Sequence, residues 1–202
     1  MPASPRYLPA DERRAATVET VVSLAAERNP SDITTTEIAT RMGLTQGALF
    51  RHFVNKDAIV QAVMAWVSER LLSRLDAASA NAASPLAALE AMFLAHAGFV
   101  ADHPGVPRML FAELQRPSES VTRRMVQALL SRYRQRLQQL FDAAKAKGQL
   151  DSTLDVDAAI SLFIGTVQGL VMQSLLSGNS KSIRRDAPRA FAIYRRGIEA
   201  RP

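Results

Sequence analysis

The sequence contains no cysteine and only three histidines, His52, His96 and His103. Without thiols the chain can form neither disulfide bonds nor a thiolate metal site, and three scattered histidines do not suggest a histidine-rich metal centre. The chain also lacks a glycine-rich phosphate loop, a G-x-S-x-G elbow, an H-E-x-x-H pair and a convincing nucleophile beside its base. We therefore expect no enzyme, no cofactor and no bound metal.

Long apolar runs are scarce as well. The first residues, MPASPRYLPADERRAA, lack the continuous apolar stretch of a signal peptide and contain three prolines. The most apolar segment, residues 155–176, is interrupted by serine, threonine and glutamine and has acidic flanks, so a membrane span fits it poorly. These features predict a cytoplasmic protein without a membrane partner.

The chain does contain the material for a sizeable core, because 48% of its 202 residues are hydrophobic. Its net charge of +6 suggests an acidic partner such as nucleic acid. However, residues 1–60 contain seven basic and seven acidic residues, and the positive surplus lies downstream, where solvated helix faces account for it. Bulk charge therefore cannot support a claim of DNA binding, and the local arrangement of residues must do so.

Apolar residues recur at helical spacing along nearly the whole chain, and no alternating run has the composition of a strand. The pattern predicts an all-α fold of about nine helices. The predicted helices cover residues 11–28, a short stretch after Thr34 or Thr35, 45–53, 56–78, 86–102, a short stretch around 109–114, 118–147, 155–176 and 188–198. The predicted N-caps of the later helices include Thr45, Asn55, Ser118 and Asp155.

The stretch TTTEIATRMGLTQGALFRHFVNKD, residues 34–57, predicts two short helices joined by a tight turn at Gly43. Leu49 and Phe53 lie four residues apart, so both can pack inward on the preceding helix. The residues that then point away from the core are Gln46, Gly47, Phe50 and Arg51. This arrangement is typical of a helix-turn-helix, whose second helix enters the major groove of DNA.

The outward residues suit contacts with bases. Gln46 can bond adenine in a bidentate manner, Gly47 permits close approach of the backbone, and Phe50 can touch a thymine methyl group. Phosphate contacts are predicted for Thr35, Thr45, His52 and Lys56. Arg51 can serve either role, and Thr36 completes the predicted DNA-binding set. The alternative is a small helical core with incidental polar residues.

The same block resembles the DNA-binding region of the TetR/AcrR (tetracycline-repressor) family of transcriptional regulators. The shared features are a threonine-rich start, an Ile-Ala pair, a turn glycine, a small-Leu-aromatic run, a phenylalanine and a lysine that opens the next helix. Here they are Thr34 to Thr36, Ile38-Ala39, Gly43, Ala48-Leu49-Phe50, Phe53 and Lys56. Family members usually carry a tyrosine in place of Phe50, and phenylalanine cannot donate the hydrogen bond with which that hydroxyl commonly reaches a phosphate.

The resemblance implies a homodimer that binds a near-palindromic DNA operator and is released from it by a small, mainly apolar ligand. A DNA-binding regulator without a small-molecule effector and a helical adaptor protein are the alternatives. The expected domains are a flexible arm at residues 1–10, a helix-turn-helix domain at residues 11–55 and a helical ligand-binding and dimerisation domain at residues 56–202. Within the arm, Arg6 either touches the minor groove or belongs to an uninvolved tail.

Large, soft side chains in the C-terminal region are candidates for a ligand pocket. They are Phe93, His96, Phe99, Met109, Phe111, Met125, Tyr133, Phe163 and Met172. However, a stripe of apolar residues at helical spacing is more often an ordinary core than a ligand pocket. His96 needs a hydrogen-bond partner in either case, which the fold or a ligand must supply.

Gly165 and Gly169 lie four residues apart in a segment that is apolar nearly all round. Each glycine inside a helix costs about 1 kcal/mol of helix stability, so a gain in packing must offset the pair. Either the strip packs against another helix of the same subunit, or it forms a two-fold dimer interface together with Met172 and with Phe191 of the last helix. We prefer the dimer interface.

Overall fold

The computed structural model describes residues 9–116 and 119–200, and these residues form nine α-helices, one 3-10 turn and no strand. The helices are α1 (Ala10–Glu27), α2 (Thr35–Arg41), α3 (Gln46–Phe50), α4 (Lys56–Ala80), α5 (Pro85–Asp102), α6 (Gly105–Leu114), α7 (Val121–Ala146), α8 (Val156–Leu176) and α9 (Ser182–Ile198). The 3-10 turn, Pro30–Asp32, lies between α1 and α2. The predicted all-α fold is confirmed.

One compact unit contains the described residues through Val67 together with those between Gly105 and Met125. The apolar residues that recur at helical spacing in α1 are all buried: Val18, Val21, Val22 and Ala25. α6 begins at Gly105, where a side-chain Cβ would lie 2.0 Å from the carbonyl oxygen of Val22. Because no side chain fits into that space, glycine allows the start of α6 to lie directly against the backbone of α1.

Side-chain caps fix where α2 and α3 begin. The Thr34 hydroxyl accepts a hydrogen bond from the Glu37 amide at 3.1 Å, and the Thr45 hydroxyl accepts one from the Ala48 amide at 3.2 Å. Such caps satisfy amide groups that have no partner inside the helix and stabilise it by about 1 kcal/mol each. Of the two threonines predicted to cap α2, the structure therefore selects Thr34.

The turn between α2 and α3 depends on Gly43, whose φ of 66° lies in the left-handed region. The Gly43 amide donates to the Thr40 carbonyl at 3.0 Å, and the Leu44 amide donates to the Ala39 carbonyl at 2.8 Å. This pair of bonds is a Schellman motif, which satisfies the last carbonyl groups of α2 and ends the helix. The predicted turn is confirmed.

The second compact unit contains Ser68–Pro104 and the residues from Val126 onward. Aromatic rings of α5, α8 and α9 meet at its centre. The ring centroids of Phe163 and Phe191 each lie 5.2 Å from that of Phe93. All three side chains are fully buried, so this cluster forms the middle of the core of the unit.

α7 begins later than predicted. Its first residue is Val121, and the hydroxyl of Ser120 caps it by accepting a hydrogen bond from the Arg123 amide at 2.9 Å. The predicted cap, Ser118, lies outside the described residues. Local sequence alone does not distinguish two nearby serines that can both serve as caps.

α9 begins earlier than predicted, at Ser182, so Pro188 lies inside the helix and not at its start. Proline removes one hydrogen bond of the helix, which is why the sequence suggests a helix that starts there. Burial of Ile183 and Ala187, each only 1% exposed, explains why the helix extends in front of the proline.

The two compact units do not coincide with the predicted boundary between residues 55 and 56. α4 contributes residues to both units, and α6 belongs to the unit of α1, on which it packs. Of the predicted arm at residues 1–10, residues 1–8 lie outside the described residues, and Arg6 is among them. The functional division into DNA-binding and ligand-binding domains stays a prediction.

By length and composition alone, α5 and α8 are long and apolar enough to cross a membrane. In the structure, α5 buries Leu89 and Phe93 and α8 buries Phe163 and Val167, none of them with measurable exposure. Core helices of a soluble protein are as apolar as these two helices, so their composition agrees with the packing observed in the second unit.

Candidate nucleic-acid interface

α3 divides its side chains between the core and the surface as the sequence predicts. Leu49 is 1% and Phe53 is 2% exposed, although α3 ends at Phe50 and not at Phe53. Phe50 is 42% exposed in spite of being large and apolar. Gln46, four residues before Phe50 and hence on the same helix face, is exposed as well. The outer face of α3 thus presents one amide and one aromatic ring to solvent.

Gly47 is exposed inside α3, and a Cβ placed there would meet no atom within 4 Å. Its backbone is helical, so neither lack of space nor an unusual φ requires glycine at this position. Alanine would stabilise the helix by about 1 kcal/mol relative to glycine. Folding alone would therefore favour alanine, whereas a partner that approaches the helix backbone closely favours glycine.

Gln46 is linked to α2 through a side-chain contact. Its Nε2 donates a hydrogen bond to Oγ1 of Thr35 at 2.7 Å, so two residues predicted to contact DNA lie side by side. Thr35 is half-buried, whereas Thr36 and Thr45 are exposed. The first turns of α2 and α3 therefore bring four of the predicted DNA-binding residues to one part of the first unit.

Arg14 of α1 holds the end of the α3 segment, a role that sequence reasoning missed. Its guanidinium carbon lies 4.6 Å from the centroid of the Phe53 ring, and its Nη1 donates to the carbonyl oxygen of His52 at 2.5 Å. The attraction between the cation and the aromatic ring stabilises this contact in addition to the hydrogen bond. Because 38 residues separate Arg14 from His52, no local spacing pattern could have found this pair.

Most charges around the predicted helix-turn-helix neutralise each other. Arg41 binds Glu27 through hydrogen bonds of 2.9 and 2.7 Å, and Arg28 pairs with Glu37 at 2.7 Å. The Arg41 guanidinium lowers the pKa of the Glu27 carboxyl. Arg51 is exposed and forms no ion pair within the described part of the chain. Among the described residues of this segment, Arg51 is thus an exposed cation without an ion pair, although the segment as a whole is neutral.

Lys56 opens α4, which Asn55 caps as predicted: its Oδ1 accepts a hydrogen bond from the Ala58 amide at 2.8 Å. The Lys56 ammonium donates to the carbonyl oxygen of Ser31 at 3.3 Å. This contact places the charge at the turn before α2. The predicted phosphate contact of Lys56 stays a prediction.

A cavity of about 340 Å³ lies beside Lys56 in the first unit, with walls from α1, α2, α4, α6 and the 3-10 turn. Arg116 lies at its rim and pairs with Asp57 at 3.3 Å and with Glu113 at 3.4 Å. The hydrogen bond to the Asp57 carboxylate is the largest of the interactions that raise the pKa of Arg116. The ion pairs thus connect the start of α4 with the end of α6.

The residues predicted to line a ligand pocket are divided between the two units. Five of them belong to the second unit and are largely buried on α5, α7 and α8: Phe93, His96, Phe99, Tyr133 and Phe163. Met109, Phe111 and Met125 belong to the first unit, where Met109 lines the cavity beside Lys56. Met172 is 42% exposed, so it lies on the surface of its unit and not in a pocket.

The outer face of α8 is apolar and lacks a partner within the described chain. Gly165 and Gly169 would meet no atom within 4 Å if they carried a Cβ, which removes the alternative of close packing inside the subunit. Leu162 is 59%, Met172 42% and Leu176 80% exposed on the same face. Phe191, the fourth predicted interface residue, is instead fully buried against Phe93, because α9 turns it toward the core of the second unit.

Two family models match the chain. Residues 18–63 match the model described as bacterial regulatory proteins, tetR family, and residues 110–190 match a tetracyclin repressor-like C-terminal domain. Among curated proteins, the HTH-type transcriptional regulator SrpR of Pseudomonas putida is 29% identical over 179 residues, which cover 86% of this chain and 80% of SrpR. Nucleoid occlusion factor SlmA of a Marinomonas species is 22% identical over 161 residues, 80% of this chain and 82% of that protein.

Solved structures share the fold at low identity. The ketosteroid transcriptional regulator KstR2 of Mycobacterium tuberculosis superposes with a TM-score of 0.78 at 21% identity, covering 94% of this chain and 96% of KstR2. FadR of Bacillus subtilis, solved in complex with stearoyl-CoA, gives a TM-score of 0.79 at 18% identity, covering 91% of this chain and 98% of FadR. The two matched models cover more than half of the chain between them, and the fold agrees. The chain belongs to the TetR family of bacterial transcriptional regulators.

Proposed function

We propose that the protein is a cytoplasmic, homodimeric repressor that binds a near-palindromic operator through α3 of each subunit and leaves it when a small, mainly apolar molecule binds. The observation that carries the DNA-binding part is the outer face of α3. Gly47 and Phe50 are exposed there although folding favours neither choice. A surface that reads base edges accounts for both residues.

The contacts divide into two kinds. Gln46, Gly47 and Phe50 are proposed to meet base edges, and Arg51 is the exposed cation beside them. Phosphate contacts are proposed for the remaining set, namely Thr35, Thr36, Thr45, His52 and Lys56. The Gln46 amide carries two N–H donors and one oxygen, so it can keep the hydrogen bond to Thr35 with one N–H while the other N–H and the oxygen bond adenine. The two side chains are therefore already hydrogen-bonded to each other before DNA binds.

The apolar face of α8 supports a dimer. Leu162, Gly165, Gly169, Met172 and Leu176 form a continuous strip along one side of the helix. When this strip packs against the same strip of a second subunit, the two glycines permit the two helices to approach closely. The apolar side chains are then removed from contact with water, which favours association. Two helix-turn-helix units held in this way contact half-sites about one turn of DNA apart, roughly 34 Å.

Ligand control is proposed from relatives of the same fold. FadR has been solved with stearoyl-CoA, and KstR2 is described as a ketosteroid regulator. We propose that such a ligand packs against the buried aromatic core of the second unit. A ligand can release the protein from DNA only by binding one conformer more tightly than the other, so its effect is limited by that difference in affinity.

Selection of binding sites from random duplex DNA tests the proposal. We expect enriched sites to be inverted repeats with half-sites about ten base pairs apart, because two symmetric subunits read them. The Gly47→Leu variant is the control, since it places a bulky side chain on the outer face of α3 and should enrich no site. If the wild-type protein enriches no sequence, the proposed reading of α3 is wrong.

A DNA-binding factor that acts without a small molecule is the second candidate. Several relatives that match this chain over about three quarters of its length are named nucleoid occlusion factor SlmA, a name that mentions no small-molecule control. The two candidates differ in one measurable respect. Apolar compounds that bind the second unit lower operator affinity if the first candidate is right and leave it unchanged if the second is right.

A further inference from the structure

Two polar atoms in the second unit are buried without a hydrogen-bond partner. They are Nδ1 of His96 on α5 and the hydroxyl oxygen of Tyr133 on α7, and no other side-chain atom of the described residues shares this condition. The two rings are neighbours, with centroids 5.4 Å apart. Tyr133 also contacts the central aromatic cluster, since its ring centroid lies 6.3 Å from that of Phe163.

Folding does not require the Tyr133 hydroxyl. A buried polar group without a partner destabilises the folded state, and phenylalanine would fill the same space without that cost. The neighbouring Tyr194 shows how the fold satisfies a buried tyrosine, because its hydroxyl donates to the carbonyl oxygen of Ala159 at 2.9 Å. The position of Tyr133 lacks such an acceptor, so its hydroxyl requires another explanation.

Both groups are neutral near pH 7. Burial lowers the pKa of His96 to about 4 and raises the pKa of Tyr133 well above its usual value. Burial causes the shift of each pKa, so neither group offers a charge to a ligand. An anionic ligand would therefore find no opposite charge here, whereas a neutral hydroxyl group can donate one hydrogen bond and accept another.

We propose that His96 and Tyr133 bind the hydroxyl group of a neutral, mainly apolar effector whose body packs against the rings of Phe93 and Phe163. The ligand hydroxyl donates to Nδ1 of His96, which then carries its proton on Nε2, and accepts the hydrogen bond of the Tyr133 hydroxyl. Ligand binding satisfies both buried atoms at once. This assignment rests on the proposed control by a small molecule and specifies the chemical class of that molecule.

Three matched probes test the assignment by calorimetric titration of the full-length dimer at pH 7.5: 4-butylphenol, butylbenzene and 4-butylbenzoate. They share an apolar body and differ in the polar group. We expect 4-butylphenol to bind at least about tenfold more tightly than either of the others, which corresponds to the satisfaction of the two buried groups. Equal binding of the phenol and butylbenzene, or binding of none of the three, overturns the assignment.

The variant Tyr133→Phe should abolish the preference for the phenol and leave the affinity for butylbenzene unchanged. It should not lower the melting temperature of the unliganded protein, because no protein partner is lost. The control Tyr194→Phe removes a satisfied hydroxyl, so it should lower the melting temperature by about 2–4 °C and keep the preference. A similar loss of stability in both variants would mean that the Tyr133 hydroxyl has a structural partner, and the assignment would be wrong.

Operator binding, followed by fluorescence anisotropy with the same probes, separates the two proposals. If 4-butylphenol binds with the expected preference but does not release DNA, the hydroxyl site is correct and the proposed ligand control is wrong. If all the apolar probes release DNA without preference for the hydroxyl group, ligand control is correct and the assignment of His96 and Tyr133 is wrong.

Discussion

Gln46 and Thr35 are joined by a hydrogen bond of 2.7 Å between the side-chain amide of one and the hydroxyl of the other. The bond holds the amide of Gln46 at the outer surface where α2 and α3 begin. In this position the amide group is oriented before DNA arrives, which reduces the entropy that a base contact must overcome.

The variant Gln46→Ala should therefore relax the choice of base at one position of each half-site. We expect a loss of discrimination of about 1–3 kcal/mol there, with little change in binding to random DNA. Competition between operators that differ at single base pairs measures this. Gln127→Ala, an exposed glutamine of α7, is the matched control and should change nothing. An unchanged operator preference in Gln46→Ala would show that this residue does not read a base.

The variant Gly47→Ala should stabilise the protein and weaken operator binding at the same time. The stability gain is about 0.5–1 kcal/mol, because the position is helical and open, while the added methyl group keeps the helix backbone from the groove. Urea unfolding and operator titration measure the two effects. The control Gly148→Ala should destabilise the protein, since its φ of 64° disfavours alanine, and it should leave operator binding unchanged because it lies outside the proposed interface. Unweakened operator binding in Gly47→Ala would contradict the proposed close approach.

Lys56→Ala should weaken binding to all DNA sequences to a similar degree. If the ammonium neutralises one phosphate, the slope of log affinity against log salt concentration becomes less steep by about one unit. Titrations of random duplex DNA at several salt concentrations measure the slope. Lys145→Ala on α7 removes the same charge elsewhere and should leave the slope unchanged. Equal slopes for Lys56→Ala and the wild type would mean that Lys56 serves only its contact with Ser31.

Gly169→Leu should convert the dimer into a monomer of 22.1 kDa, because a leucine side chain prevents close approach along the α8 strip. The fold itself should survive, since the side chain points into open space within the subunit. Light scattering gives the mass, and far-ultraviolet circular dichroism checks the helices. Gly47→Leu is the control, as it adds the same side chain to another exposed helix and should remain dimeric. A dimeric Gly169→Leu would place the interface elsewhere.

Protonation of His96 should reduce stability in weakly acidic solution. Its pKa of about 4 in the folded protein lies below the ordinary value of 6.5, so the unfolded chain binds more protons between these values. Stability is therefore complete above about pH 6.5 and falls by about 2–3 kcal/mol as the pH decreases toward 4. Urea unfolding of the wild type and of His96→Leu across this range isolates the effect. Parallel pH profiles would contradict the burial of a neutral imidazole.

The elements that could be predicted are those that depend on neighbours in sequence. The caps at Thr34 and Thr45, the turn at Gly43 and the inward pair of Leu49 and Phe53 follow from spacing of two to four residues, and the structure contains all of them. Helical periodicity likewise identified most of the helices. Local rules suffice there because the interactions themselves are local.

The features that escaped prediction depend on contacts between distant parts of the chain. Arg14 reaches the end of the α3 segment across 38 residues, and Phe191 is drawn into the core by Phe93 of α5. Gly105 owes its identity to the backbone of α1 and not to its own helix. The surface position of Met172 escaped prediction for the same reason, since an apolar stripe does not reveal which neighbour covers it.

The contrast between Gly105 and the open glycines of α3 and α8 has a consequence for genetics. A library of all single substitutions can be sorted once for the abundance of folded protein and once for repression of a reporter. Variants at position 105 should be lost from both selections, because no side chain fits beside Val22. Positions 47 and 169 would tolerate many residues in the abundance selection and few in the repression selection. Glycines retained for folding and those retained for regulation would thus separate without any structure of a complex.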